Sequence, residues 1–187
     1  MAIDLSWNTL LADQLDWHWT NHLRPRWDGL TDAEYFWEPV PGSWSVRRVG
    51  EGDAQVQAGS GEWRCDYAIP EPDPAPVTTI AWRLAHVIVG VLGERNHSHF
   101  EGPAISYPDF AYAGSAAEAL EQVDAGYGHW IAGVRSLGED GLHRPCGEAE
   151  GPFAEHPLSE LVLHINREVI HHGAEISLLR DLWAHQH

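Results

Sequence analysis

Lysine is absent from this sequence of 187 residues, and all eleven basic residues are arginines. Catalysis through a lysine Schiff base is therefore excluded. Cys65 and Cys146 stand far apart, which suggests neither a disulfide framework nor a thiolate metal site. The sequence contains no run of 18 apolar residues, and its first residues lack the basic and apolar regions of a secretion signal. These absences predict a cytoplasmic protein that does not enter a membrane.

Acidic residues dominate the charge: 28 Asp and Glu give a formal net charge of −17. Such a surface repels nucleic-acid phosphates and anionic lipids, so small molecules are the expected partners. With 43% apolar residues, positions 1–187 are predicted to form a single domain with a sizeable core. Ten Trp and thirteen His are many for this length.

The segment 157–183 is the longest amphipathic pattern. A helix here would place on one face Leu161, Ile165, Glu168, His172, Ile176, Leu179 and Trp183. Glu168 and His172 would then project from adjacent turns towards the core, where a carboxylate is costly to desolvate. Two interpretations stay open: the pair binds a metal ion, or the two groups are satisfied by each other or by an arginine.

A second helix is predicted to begin at Thr78 or Thr79. Its inner side would carry Trp82, His86, Val89, Gly90, Gly93 and His97. Gly90 and Gly93 would allow a neighbouring helix to approach closely. His86 lies among apolar residues, as either a hydrogen-bonded core histidine or a metal ligand.

Two further long helices are predicted, from about Asp4 to Leu23 and from the capping box Ser115–Glu118 to about Leu137. On the first, His18 and His22 have the spacing of a metal pair, although an aromatic pocket wall explains them equally well. A shorter helix should begin at the capping box of Thr31 and Glu34. The Gly- and Pro-rich segment 42–76 is predicted to be an insertion, with strands at 54–57 and 63–68 forming a hairpin.

Four long helices predict an all-α four-helix bundle, whose core can gather ligands from facing helices. His86 would supply a third donor beside Glu168 and His172. Two imidazoles and one carboxylate, with positions left for water or substrate, are typical of a catalytic zinc or a related divalent ion.

The chain also resembles the DinB-like superfamily of bacterial metalloproteins. The resemblance is carried by GLTDAEYFWEPVPGSWSV, TTIAWRLAHV and HINREVIHHGAEI, in that order and spacing. It implies a metal bound by His86, Glu168 and His172: zinc first, with nickel or iron as alternatives. Most members have His at the position of Glu168, and the Glu variant is similar to the mycothiol-dependent maleylpyruvate isomerase branch.

The resemblance implies an enzyme that uses a low-molecular-weight thiol, such as mycothiol or bacillithiol, as an S-transferase or isomerase on a small electrophile. Arg83 and Arg167 are then candidates for binding a carboxylate of the thiol or substrate, although either can instead form a salt bridge. His171 would lie beside the metal ligands, and Trp82 and His18 would line the pocket. A homodimer is the candidate assembly.

Two other classes of function remain open. Glu94 with His97 and Glu168 with His171 both show the Glu-x-x-His spacing of di-iron carboxylate bundles, although chance alone yields about one such pair in this composition. The chain could also be an inactive bundle that binds a small ligand. Two irons per chain would favour the first class, and indifference of every assay to chelators the second.

Overall fold

The computed structural model describes residues 6–186, a mainly helical chain with a small sheet. Its α-helices are α1 (Trp7–His18), α2 (Asp32–Tyr35), α3 (Ile80–His86), α4 (Glu94–Phe100), α5 (Ala116–Leu142) and α6 (Leu158–Gln186). Its strands are β1 (Val46–Arg48), β2 (Val56–Ala58) and β3 (Trp63–Tyr67). The predicted mainly helical fold is confirmed, although the sheet makes the description all-α too narrow.

Turns of other helix types extend two of these helices. A π-helical turn over Trp19–Leu23 and a 3₁₀ turn over Arg24–Trp27 continue α1. A longer π-helical segment, Val87–Gly93, joins α3 to α4, so one helical segment runs over 80–100. π-helical insertions are rare and are frequent at functional sites. This one begins directly after His86.

Both predicted capping boxes mark helix starts, but only the box of α2 is complete, because the Glu118 carboxylate at α5 accepts from the Gly114 amide. Thr31 accepts a hydrogen bond from the Glu34 amide while the Glu34 carboxylate accepts one from the Thr31 amide, which starts α2. Ser115 caps α5. That helix runs beyond the expected end near Leu137 because the chain continues as a last turn after Gly138, where φ is 63°. The expected start at Asp4 lies outside the described residues.

The insertion contains the predicted hairpin and one strand that was not predicted. β3 is central and pairs antiparallel with both β1 and β2. β1 has three residues, too few for an alternating pattern to be visible in the sequence. The backbone carbonyl of Asp66 accepts a hydrogen bond from Trp82 Nε1 (2.9 Å), which fixes the sheet against α3.

The long helices pack around a shared core rich in aromatic residues. Trp27 and Trp130 are almost completely buried, and Trp19 stacks on Tyr127 with ring centroids 4.0 Å apart. The buried side of α1 is formed by Asn8, Ala12 and Leu15, and Trp7 is 68% exposed.

The neighbours of Gly90 and Gly93 differ from the prediction. A Cβ on Gly90 would clash with the hydroxyl of Tyr107, and a Cβ on Gly93 would meet Ile105. Both neighbours belong to the loop that follows α4, so the glycines admit loop side chains and not another helix. In residues 6–186, no helix has the length and apolar character needed to cross a bilayer.

Candidate metal centre

His86 reaches the centre from the last turn of α3. Its ring is half-buried and stacks on Trp82, with centroids 5.6 Å apart and planes inclined by 15°. Its Nδ1 lies 2.7 Å from the hydroxyl oxygen of Tyr107. Two neighbours therefore fix the ring, one by stacking and one by a hydrogen bond that uses Nδ1.

His172 and Glu168 come from successive turns of α6. The His172 side chain is buried, and its Nε2 lies 3.5 Å from Oε2 of Glu168. Its Nδ1 lies 2.8 Å from the Glu175 carboxylate. Glu168 is less buried than predicted: its side chain is 25% exposed and lies at the edge of the buried face of the helix.

The two helices bring the predicted metal ligands together. The rings of His86 and His172 meet edge to face, with centroids 4.7 Å apart. Each ring makes its hydrogen bond through Nδ1, which leaves Nε2 as the nitrogen for a metal. A hydrogen-bonded partner on the far nitrogen, often a carboxylate, orients metal-bound histidines in proteins. Two imidazoles and a carboxylate are also donor types that bind divalent ions such as zinc.

Electrostatics keep His86 in the form that binds metal. Burial lowers its pKa to about 4, and the nearby His172 and Arg83 lower it in the same direction. The imidazole is consequently neutral at physiological pH. Neutral imidazole is the ligand form for zinc, iron and nickel.

A second group of potential ligands overlaps the first. Across the described chain, His171, His172 and Glu175 form the one set of three such side chains whose donor atoms all lie within 4.8 Å of one another. His86 and Glu168 are not in that set. The two groups share His172 but use different nitrogens of its ring, because Glu175 lies at Nδ1 and Glu168 at Nε2.

The remaining predicted residues lie at different distances from this centre. Arg83 is 3.3 Å from the Glu175 carboxylate, and its guanidinium lies over the Trp82 ring. His171 is mostly exposed and 3.5 Å from Glu175. These residues form one side of the centre.

Arg167 and His18 each contact a histidine outside the centre. Arg167, 67% exposed, is 3.4 Å from Glu168 and contacts the ring of His164. His18 stacks on His22 with centroids 5.9 Å apart. Among the described residues, no ring contact or hydrogen bond joins His18 to His86 or His172.

Two residues of the centre were missed by the sequence analysis. Glu175 follows His172 at the i+3 spacing, so the pattern was visible on the helix. Tyr107 lies in a loop without periodicity, and its only signal was Gly90, whose missing side chain makes room for the hydroxyl.

The Glu-x-x-His pair on α4 has other partners. Nδ1 of His97 lies 3.0 Å from the carbonyl oxygen of Gly102, and Glu94 pairs with Arg95. Neither Glu94 nor His97 belongs to a cluster of ligand side chains in the described residues.

Comparison with known proteins agrees with the resemblance seen in the sequence. The family model of the DinB superfamily matches residues 61–176, which is more than half of the chain and includes His86, Glu168, His172 and Glu175. No curated protein and no solved structure gives a match. The chain belongs to the DinB superfamily.

Proposed function

We propose that this protein is a mononuclear metal-dependent enzyme built on a four-helix bundle, with His86, Glu168 and His172 as metal ligands. One observation carries the proposal: two histidines from separate helices meet beside a carboxylate, each with Nδ1 already engaged by a neighbouring residue. Zinc is the first candidate metal, and nickel and iron are the alternatives.

The proposed reaction is an S-transfer or isomerisation that uses a low-molecular-weight thiol, such as mycothiol or bacillithiol, and a small electrophile. When bound, a divalent ion supplies positive charge that favours the thiolate form of a thiol. Family membership and the Glu168 variant of the ligand set support this reaction class.

The protein's own side chains would bind and orient the two reactants. Arg83 is 22% exposed, and burial lowers its pKa, so this cation is poorly solvated beside a single carboxylate, Glu175. A carboxylate of the thiol or substrate would improve its pairing. Trp82 forms an aromatic wall next to His86, and His171 lies at the exposed rim.

Metal content of purified variants tests the proposal. We expect His86→Ala and Glu168→Ala to lose stoichiometric metal, while His171→Ala retains it. If His171, His172 and Glu175 hold the metal instead, His171→Ala should lose it and the other two variants should retain it. His129→Ala is a matched control, because this exposed histidine bonds only a backbone carbonyl, that of Phe100.

The outcome separates the alternatives. Full metal content in His86→Ala, measured by elemental analysis, would contradict the ligand set. Two irons per chain would replace it with a di-iron centre. If the metal is present as proposed, consumption of a thiol with a small electrophile should disappear after chelation and return when the metal is restored.

A further inference from the structure

A cleft of about 820 Å³ lies between the first half of α6 and the 3₁₀ segment Glu148–Phe153. Its volume is within the range of about 300–1,000 Å³ that is typical of small-molecule sites. Leu161, Leu163 and Phe153 contribute apolar surface to it. Leu163 and Phe153 are 49% and 60% exposed, so a ligand here would cover apolar side chains that now face water.

One wall of the cleft is held by buried charges. Glu150, in the 3₁₀ segment, is 2.9 Å from Nε2 of His99 and 3.2 Å from the guanidinium of Arg95. The side chains of Glu150 and His99 are 8% and 6% exposed. The hydrogen bond from His99 holds the pKa of Glu150 below its ordinary value. The segment is thus fixed to α4, and its carboxylate is already neutralised.

The other end of the cleft carries an available cation. The carboxylate nearest to Arg167 is that of Glu168 at 3.4 Å, and Glu168 is itself a proposed metal ligand. Many other arginines of the described chain, such as Arg26, reach a carboxylate at 3.0 Å or less. Glu160, the remaining carboxylate on the cleft, is 2.6 Å from His156. Nε of Arg167 faces Glu168 and its Nη2 contacts His164, so the remaining N–H groups of the guanidinium can pair with an anion.

We propose that this cleft binds a small molecule that has a carboxylate at one end and an apolar body. The carboxylate pairs with the guanidinium of Arg167, because a guanidinium can give a carboxylate two parallel N–H···O hydrogen bonds. The body lies against Leu163 and Phe153. The inference rests on the proposed function in one respect: since Arg167 contacts Glu168, the charged end of this ligand belongs to a reactant of the metal centre.

Calorimetric titration of metal-free protein with three probes tests the cleft by itself. Octanoate, octan-1-ol and octylammonium share one apolar chain and differ in the charge of the head group. We expect octanoate to bind about threefold more tightly than the other two, because water screens an ion pair with the exposed guanidinium of Arg167. Arg167→Gln should remove this preference and leave octanol binding unchanged.

Matched variants locate the binding. Arg144→Gln changes an arginine that does not line this cleft and should keep the preference for octanoate. Phe153→Ala should weaken all three probes by roughly threefold or more through lost apolar contact. Ile69→Ala, which changes another exposed apolar residue outside the cleft, should not. These side chains are exposed, so the variants should fold.

Equal affinity for the three probes, or an unchanged preference in Arg167→Gln, would overturn the inference. The titration uses metal-free protein, so the two proposals can fail separately. If octanoate does not bind preferentially but the untreated protein contains stoichiometric metal, only the proposal for the cleft is refuted. If octanoate binds as expected but the His86 and Glu168 variants keep their metal, only the proposed function is refuted.

Discussion

Removing the hydroxyl of Tyr107 should weaken metal binding although Tyr107 is not a ligand. The hydroxyl oxygen lies 2.7 Å from Nδ1 of His86. If Nε2 binds the metal, Nδ1 carries the proton and donates it to Tyr107. Tyr107→Phe keeps the ring and removes only this acceptor. His86 would then be less basic and free to turn, and a buried N–H would lose its partner.

The expected losses of metal affinity and of stability can be estimated from this hydrogen bond. Loss of a residue that orients a metal-bound histidine lowers affinity by about 10–100-fold, or about 1.4–2.8 kcal/mol. The metal-free protein should lose about 1 kcal/mol of unfolding free energy with the hydrogen bond. Gly90→Ala should reproduce the weaker binding, because a Cβ there would push the Tyr107 hydroxyl away from His86.

A competitive titration of Zn²⁺ against a chromophoric chelator measures the affinity, and urea unfolding of the metal-free protein measures stability. Tyr35→Phe is the matched control: this buried hydroxyl donates to the carbonyl of Ala113 at 3.3 Å. It should cost comparable stability and leave zinc affinity unchanged. Wild-type zinc affinity in Tyr107→Phe would refute the role of the hydroxyl.

Three further outcomes are expected. Glu175→Gln should weaken metal binding by about 10–100-fold, as measured by the same titration, because it alters the partner of His172 Nδ1. The hydrogen bond from Tyr127 lowers the pKa of Asp16 in the folded protein. The ionised carboxylate therefore stabilises the fold at pH values above the pKa of Asp16 in the unfolded chain, and this stabilisation is lost as the pH falls through its pKa in the folded protein. Asp16→Asn should therefore cost about 1 kcal/mol at pH 7, with the difference in urea unfolding from wild type shrinking below about pH 4. Ile165→Ala, at a fully buried position, should lower stability by about 2–5 kcal/mol in the same experiment.

Helical periodicity predicted the helices that carry His86, Glu168 and His172 and the faces on which these side chains lie. His86, Glu168 and His172 were chosen on spacing and apolar surroundings, and the structure places these residues beside one another. The exposure of Glu168 was underestimated, because periodicity gives the direction of a side chain but not how far the neighbouring helix extends over it. Tyr107 could not be predicted, because the path of an irregular loop depends on the finished packing.

The two overlapping ligand groups differ in the nitrogen of His172 that would bind a metal. A metal on Nε2 keeps the Glu175 carboxylate at Nδ1, where it can accept a hydrogen bond and strengthen the imidazole as a donor. A metal on Nδ1 would replace that hydrogen bond and convert Glu175 from orienting residue to ligand. Binding through Nε2 would use ligands from both α3 and α6. It would also match His86, whose Nδ1 is hydrogen-bonded to Tyr107. Glu175 of α6 engages Nδ1 of His172, and Tyr107 of the loop after α4 engages Nδ1 of His86. An ion held as we propose would therefore bind between the two rings, at their Nε2 atoms.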